Sequence, residues 1–377
     1  MKNTVLKLSL LAFMTIAANA NENNISNQGE FEGNIRLGYQ YSDTIFGHGD
    51  EAAVGGYIKY ETGSWNGLST GASLYTTQGN GNSKAEYFIT FFDPETNNYT
   101  LLSELYIKGV YSNTQFTIGR QSLETPFADS DDIGMIPNFF EALTITNKDI
   151  QDTVITAGYI RSMAGGGADE PNQFNRLNGD DGIYMIGAAY EGIEDLTLQG
   201  WYYHGEDLLD VTYLDAIYTY KTDRFEYGSG IQYAYQNFED INNNIYGVIL
   251  SISDKPSGLG AMIAYNKADG IGADNLFGGG PFFTNVEHDT LAEAGNYGET
   301  LKIGTNLDMS SLGIDGMNLT LEHLWRNRKM DPNYRNLGFI AEYEYSQTVS
   351  FRLFYNDIKD QLDGNRQNLR VFADYKF

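Results

Sequence analysis

Between Gln121 and Asn147 the chain carries five carboxylates, Glu124, Asp129, Asp131, Asp132 and Glu141, and no Lys or Arg. Side chains so arranged attract cations, and Asp129-Ser130-Asp131-Asp132 offers clustered oxygens of the kind calcium takes. The spacing is not that of an EF-hand, so the expectation is no cofactor, with bound calcium as the one candidate. His48, His204, His288 and His323 stand in no metal-binding pattern, and with no Cys there is neither a thiolate site nor a cysteine nucleophile. Gly165-Gly166-Gly167 and Gly278-Gly279-Gly280 lie in loops and not between a strand and a helix, which argues against phosphate cradling. No catalytic residue is nominated and no enzyme is expected. With 50 acidic against 24 basic residues and no basic patch, nucleic acid is excluded as a partner.

The elements that must hold this acidic segment follow from composition and periodicity. Lys2 and Lys7, the apolar run Leu8 to Ala17 and Ala18-Asn19-Ala20 make a secretory leader, residues 1–20, cleaved from a mature chain of one domain, 21–377. Beyond it no apolar run reaches 18 residues, so the chain has no membrane helix. Gly (42), Tyr (28) and a 14% aromatic content argue against disorder. From Phe31 the residues alternate: Gly33, Ile35, Leu37, Tyr39 and Tyr41 share one face, and Glu32, Asn34, Arg36 and Gln40 the other. The same period of two recurs to the end. It predicts eighteen strands with cores near 31–41, 52–62, 68–76, 101–111, 115–123, 140–147, 153–162, 182–192, 196–205, 211–221, 225–237, 245–253, 259–267, 300–308, 317–328, 336–346, 348–357 and 366–377. Short turns follow the even-numbered strands, and longer connections (77–100, 124–139, 163–181, 268–299) follow several odd ones.

A soluble β-sandwich would show similar alternation. Strands of about ten residues, Tyr near both strand ends, and a second face of Gly, Ser, Asn, Gln and charge favour a transmembrane antiparallel β-barrel with a wet lumen. Parity assigns Arg36, Lys59, Lys108, Lys302, Arg326, Arg328, Arg352, Arg366 and Arg370 to the lumen, and Arg120 and Arg161 to the lipid face. Closing the last strand on the first gathers Arg36 with Arg326, Arg328, Arg352, Arg366 and Arg370 on one wall.

Phe116-Thr117-Ile118-Gly119-Arg120-Gln121-Ser122-Leu123-Glu124-Thr125-Pro126-Phe127, followed by Asp131-Asp132-Ile133-Gly134-Met135-Ile136-Pro137-Asn138-Phe139-Phe140-Glu141, resembles the Opr-type (porin D-like) outer-membrane porins. The major porins of campylobacter-like bacteria belong to the same group. The alternating last strand ending on Phe377 resembles an outer-membrane assembly signal. The resemblance implies an eighteen-stranded barrel, a homotrimer, whose third outer loop folds into the pore. Strand counting independently makes Glu124 to Phe139 that third loop.

The expected function is a diffusion channel for ions and small hydrophilic solutes in a Gram-negative outer membrane, in contact with its lipid and lipopolysaccharide. An acidic loop is expected to face a basic wall across the lumen and to give a modest cation preference. The alternative is a plugged barrel serving surface adhesion or structure, which Phe277, Phe282 and Phe283 in the 268–299 loop keep open; stepwise single-channel conductance separates the two.

Overall fold

The computed structural model describes residues 29–79, 91–93, 95, 97–238, 241–269, 272–286, 291, 298–328, 334–361 and 364–377, without the side chains of 241 and 328. The expected leader, residues 1–20, lies outside the described residues. Eighteen long strands run through the chain: β1 Glu30–Thr44, β2 Gly47–Glu61, β3 Leu68–Gly79, β4 Tyr99–Tyr111, β5 Thr114–Gln121 and β6 Phe139–Asn147. Then come β7 Thr153–Ala164, β8 Ile183–Ile193, β9 Leu196–Gly205, β10 Leu209–Lys221, β11 Phe225–Phe238 and β12 Ile241–Asp254. The last six are β13 Leu259–Ala268, β14 Gly298–Asp308, β15 Met317–Arg328, β16 Tyr334–Glu344, β17 Val349–Asp360 and β18 Arg366–Lys376. Each pairs antiparallel with its sequence neighbours, and β1 pairs with β18 from Asn34↔Lys376 to Asp43↔Gln367. The amides of Gly33 and Phe377 each donate to the other's carbonyl at 3.0 Å, completing the seam. The barrel is closed.

Burial distinguishes this barrel from a sandwich. On β1, Ile35 and Leu37 are 49% and 54% exposed, while Arg36 and Gln40 beside them are 8% and 2% exposed. Apolar residues outward and polar ones inward is the reverse of a water-soluble sheet, and it suits a wall bathed in lipid. Tyr60, Tyr218, Tyr220, Tyr227 and Tyr375 are exposed near one rim, and Tyr184, Tyr202 and Tyr246 near the other, as interfacial girdles require. Short turns such as 112–113, 194–195 and 222–224 gather on the first rim, together with the described ends of the chain. The loops 80–98, 122–138, 165–182 and 269–297 leave the second. One turn of 3-10 helix, Met309–Leu312, caps the β14–β15 connection; its first turn is closed by the Asp308 carboxylate, which accepts from the Ser310 amide.

The lumen is not wet throughout, contrary to the expectation from its polar residues. Met185, Trp201, Tyr203, Val211, Tyr213, Ala234 and Ile245 point inward from β8 to β12 and build a buried apolar cluster with Leu123, Phe127, Ala273 and Phe282 of two outer loops. This side of the barrel interior is therefore packed by an apolar cluster.

Candidate pore constriction

The third outer loop is placed by its apolar residues. Glu124–Thr125 and Ala128–Asp129 pair as a two-residue ladder, and the hairpin tip Phe127 is fully buried. Its ring sits edge-on to Tyr203, Tyr213 and Phe282 at 5.7, 5.8 and 6.0 Å between centroids. Such a seat, rather than any charge, draws the loop into the barrel. The chain then turns through Asp131, whose φ of 38° suits the short acidic side chain, and crosses to the opposite wall.

There the loop lies against the basic wall instead of facing it across water. Asp132 is bonded by Arg36 at 2.6 Å and approached by Arg352 at 3.4 Å. Arg36 also donates to the Gly134 carbonyl at 2.8 Å and pairs with Asp374 at 2.7 Å; Arg370 donates to the Ile133 carbonyl. Asp374 is held further by Asn34 at 2.9 Å. Met135 and Ile136 pack with Phe354 and Phe372 of β17 and β18 and with Phe91 and Phe92 of the second loop. The physical reason for the contact is reach: the segment from Asp131 to Ile136 spans the lumen, and three guanidinium groups capture its carboxylate and carbonyls.

A second segment, from the 268–299 connection, also enters the barrel. In the seventh outer loop Phe282, Phe283 and Thr284 are buried. Wall amides bind its main chain. Gln232 donates to the Pro281 carbonyl at 3.0 Å and accepts from the Phe283 amide at 2.8 Å; Gln236 does both with Asp274, at 2.6 and 2.8 Å. Asn243 accepts from the Gly272 amide, Asn266 from the Thr284 amide, and Lys302 donates to the Asn285 carbonyl. The Phe277 amide donates to the Phe127 carbonyl, and the Gly279 amide to Asp129 at 3.1 Å. A Cβ on Gly278 would stand 2.5 Å from the Asp129 carboxylate, so this approach requires glycine.

Charge in the third loop is shaped by that packing. Burial raises the Asp129 carboxyl to about 7, assisted by Asp131. Burial likewise lifts Asp131 to about 6 against the pull of Arg370, and shifts Glu124 upward. Below the loop, on the turn side, an open cavity of about 490 Å³ is bordered by Arg36, Asp132, Lys302, Glu322, Arg352 and Asp374. Both signs line it.

Of the basic residues nominated by parity, Arg36, Arg352 and Arg370 meet the loop. Lys108 does not: it pairs with Glu61 at the turn rim. Arg326 lies over the Tyr334 ring and donates to Thr300 on the far side. Arg328 has backbone register with Gly298, but its side chain is outside the described residues. Glu141 leaves the acidic group, pairing at 3.1 Å with Arg120, which also covers Phe174. Of the carboxylates in the calcium candidate, Asp132 is engaged by Arg36 and Arg352. Among the described residues no three His, Asp or Glu stand together as a metal site. Glu104 was not foreseen. A bulge between Ser73 and Leu74 turns both Ser103 and Glu104 inward, where Glu104 binds Lys59 at 3.1 Å. The spacing Gly67-Leu68-Ser69-Thr70-Gly71 is formally that of a nucleophile elbow, yet Ser69 lies on β3, with no helix following, and donates to Glu61.

Comparison with known proteins agrees with this architecture. A BenF-like porin from Pseudomonas fluorescens Pf-5 superposes with a TM-score of 0.81 at 14% identity, covering 94% of this chain and 100% of that one. OccAB4 of Acinetobacter baumannii gives 0.81 at 14% with the same coverages, and Pseudomonas aeruginosa OpdK, solved with vanillate, gives 0.77 at 14%, covering 93% and 98%. At such identity these establish the fold. No curated protein matches the sequence. A special closeness to the campylobacter-like major porins finds no support here. The family profile described as outer membrane porin, OprD family, matches residues 93–360, from the second outer loop to the end of β17. The chain belongs to the OprD family of outer-membrane porins, channels for small solutes.

Proposed function

We propose that the channel passes small hydrophilic solutes and ions with a modest preference for cations, through the passage left beside the third and seventh loops. The observation that carries this is the loop crossing at Asp132, where carboxylates from one short segment meet a few arginines already partly answered by Asp374. Charges beyond about 8–10 Å are screened at physiological salt, so selectivity follows this crossing and not the net charge of the chain. Single-channel recording with a salt gradient tests it. Stepwise conductance and a zero-current potential of cationic sign are expected, weakening as salt rises. Replacing Asp129, Asp131 and Asp132 together by Asn moves that potential toward anions, and neutralising Arg352 and Arg370 moves it the other way. A silent protein, or a strongly anion-selective one, overturns the reading. Silence would favour the plugged surface barrel, which the packed half of the lumen keeps in view. We further propose a homotrimer, to be checked by cross-linking in native membranes.

A further inference from the structure

On the lipid-facing side, near the loop rim of β13 to β16, a groove of about 620 Å³ is lined by Tyr265, Glu299, Leu301, Trp325, Asn327 and Arg335. Arg335 stands directly opposite Trp325 on β15 and directly opposite Lys359 on β17. Two like charges facing each other across strands destabilise the pair, and a lipid environment gives them little water to relieve it. Lys359 has Asp357 at 2.9 Å on its own strand. Arg335 is exposed and makes no ion pair among the described residues. Glu299, the acid in the groove, is already answered: it accepts from the Tyr265 hydroxyl and stands opposite Lys267. His323 stacks on Trp325 at 3.9 Å and fixes that wall.

Toward the membrane centre the same strands expose Ile303, Leu321 and Leu337. From rim to centre the surface thus reads as a cation pair, an aromatic wall and an apolar lane. A second outer-wall groove of about 650 Å³, near the turn rim, is lined by Tyr218, Tyr227, Leu250, Ile252 and Ile263 and has no charged lining residue. Of these two grooves, the loop-rim one combines a lane for hydrocarbon with a guanidinium that has no ion pair among the described residues. A planar guanidinium fork matches a phosphate group in geometry as well as charge.

We propose that Arg335 and Lys359 hold the phosphate of a phosphorylated lipid of the outer leaflet, whose chains lie along Ile303, Leu321 and Leu337. The site is separate from the lumen, and it rests on the outer-membrane location alone. Native mass spectrometry of the detergent-purified protein, with bisphosphorylated lipid A or its dephosphorylated form added, tests it. The wild type is expected to retain the phosphorylated lipid about tenfold better than the R335Q/K359Q double variant, and to show no such gain for the dephosphorylated lipid. Unchanged single-channel conductance would show that the variant barrel is intact. Should the variant fail to assemble, the two lipids on the wild type still decide. Equal retention of both lipids, or a double variant that keeps the wild-type amount, overturns the proposal. Inorganic phosphate that competes as well as the lipid would overturn the lipid source.

Discussion

The two halves of the lumen are built on opposite principles. From β6 to β13 the wall carries the larger buried apolar cluster, met by Phe127 and Phe282 from the loops, with amides such as Gln232, Gln236 and Asn266 set among it. From β14 round to β2 the charges gather: Lys302, Glu322, Arg352, Arg370, Asp374, Arg36 and Glu51 are bonded or ion-paired, beside Phe354 and Phe372. The apolar half seats the loop tips, and the charged half both ties down their far ends and borders the open cavity. One segment of the third loop links them, with Phe127 seated in the first and Asp132 captured by the second. Position and selectivity are therefore carried by different residues a few places apart.

The largest effect that can test this division is Phe127→Ala. Truncating a fully buried ring should cost about 3–5 kcal/mol in urea unfolding from vesicles, and the loosened loop should make single-channel current noisy. A quiet current of unchanged size would show that the packed half does not hold the constriction. Asp132→Asn comes next. Its carboxylate is more than a third exposed, so stability should fall by less than about 1 kcal/mol. The current should nevertheless change clearly: conductance rises and the zero-current potential moves toward anions, because Arg36 and Arg352 lose their shared partner. A stability loss without an electrical effect would place Asp132 in the packed half functionally.

The smallest expected effect is the response to pH. With Asp129 near 7 and Asp131 near 6, acidification from pH 8 to 5 protonates both, removing negative charge from the loop and weakening the cation preference. The sign for folding runs the same way. Carboxyls raised above their unfolded value destabilise the native state when charged, so the loop's contribution improves as pH falls through this window. Zero-current potentials measured across that range check it, and the Asp129→Asn/Asp131→Asn variant should respond to pH less than the wild type does.

Strand number, strand boundaries within a few residues, and the inward placement of Arg36, Arg352 and Arg370 were all legible, because a period of two is imposed by the wall itself. The packed half was not. In Trp201-Tyr202-Tyr203 successive residues are all aromatic, so alternation cannot tell the buried Trp201 and Tyr203 from the exposed Tyr202. Glu104 was hidden by a bulge that shifts parity by one residue. The docking of the seventh loop depends on amides of Gln232, Gln236 and Asn266, which in sequence look like any wet pore lining. Lys108 was correctly inward but at the wrong height, since parity gives a face and no depth.

Those amides have a consequence for how the pore could change. Gln232, Gln236, Asn243, Asn266 and Lys302 grip main-chain atoms of the seventh loop. A peptide bond looks alike whatever residue carries it, so the barrel wall dictates the path of the loop and leaves much of its lettering free. Substitutions between Gly272 and Asn285 that spare the seated phenylalanines and the close-packed glycines can then repaint the passage without moving its frame. In this barrel the route is written in the scaffold, and new solute preferences are open to the segment that merely follows it.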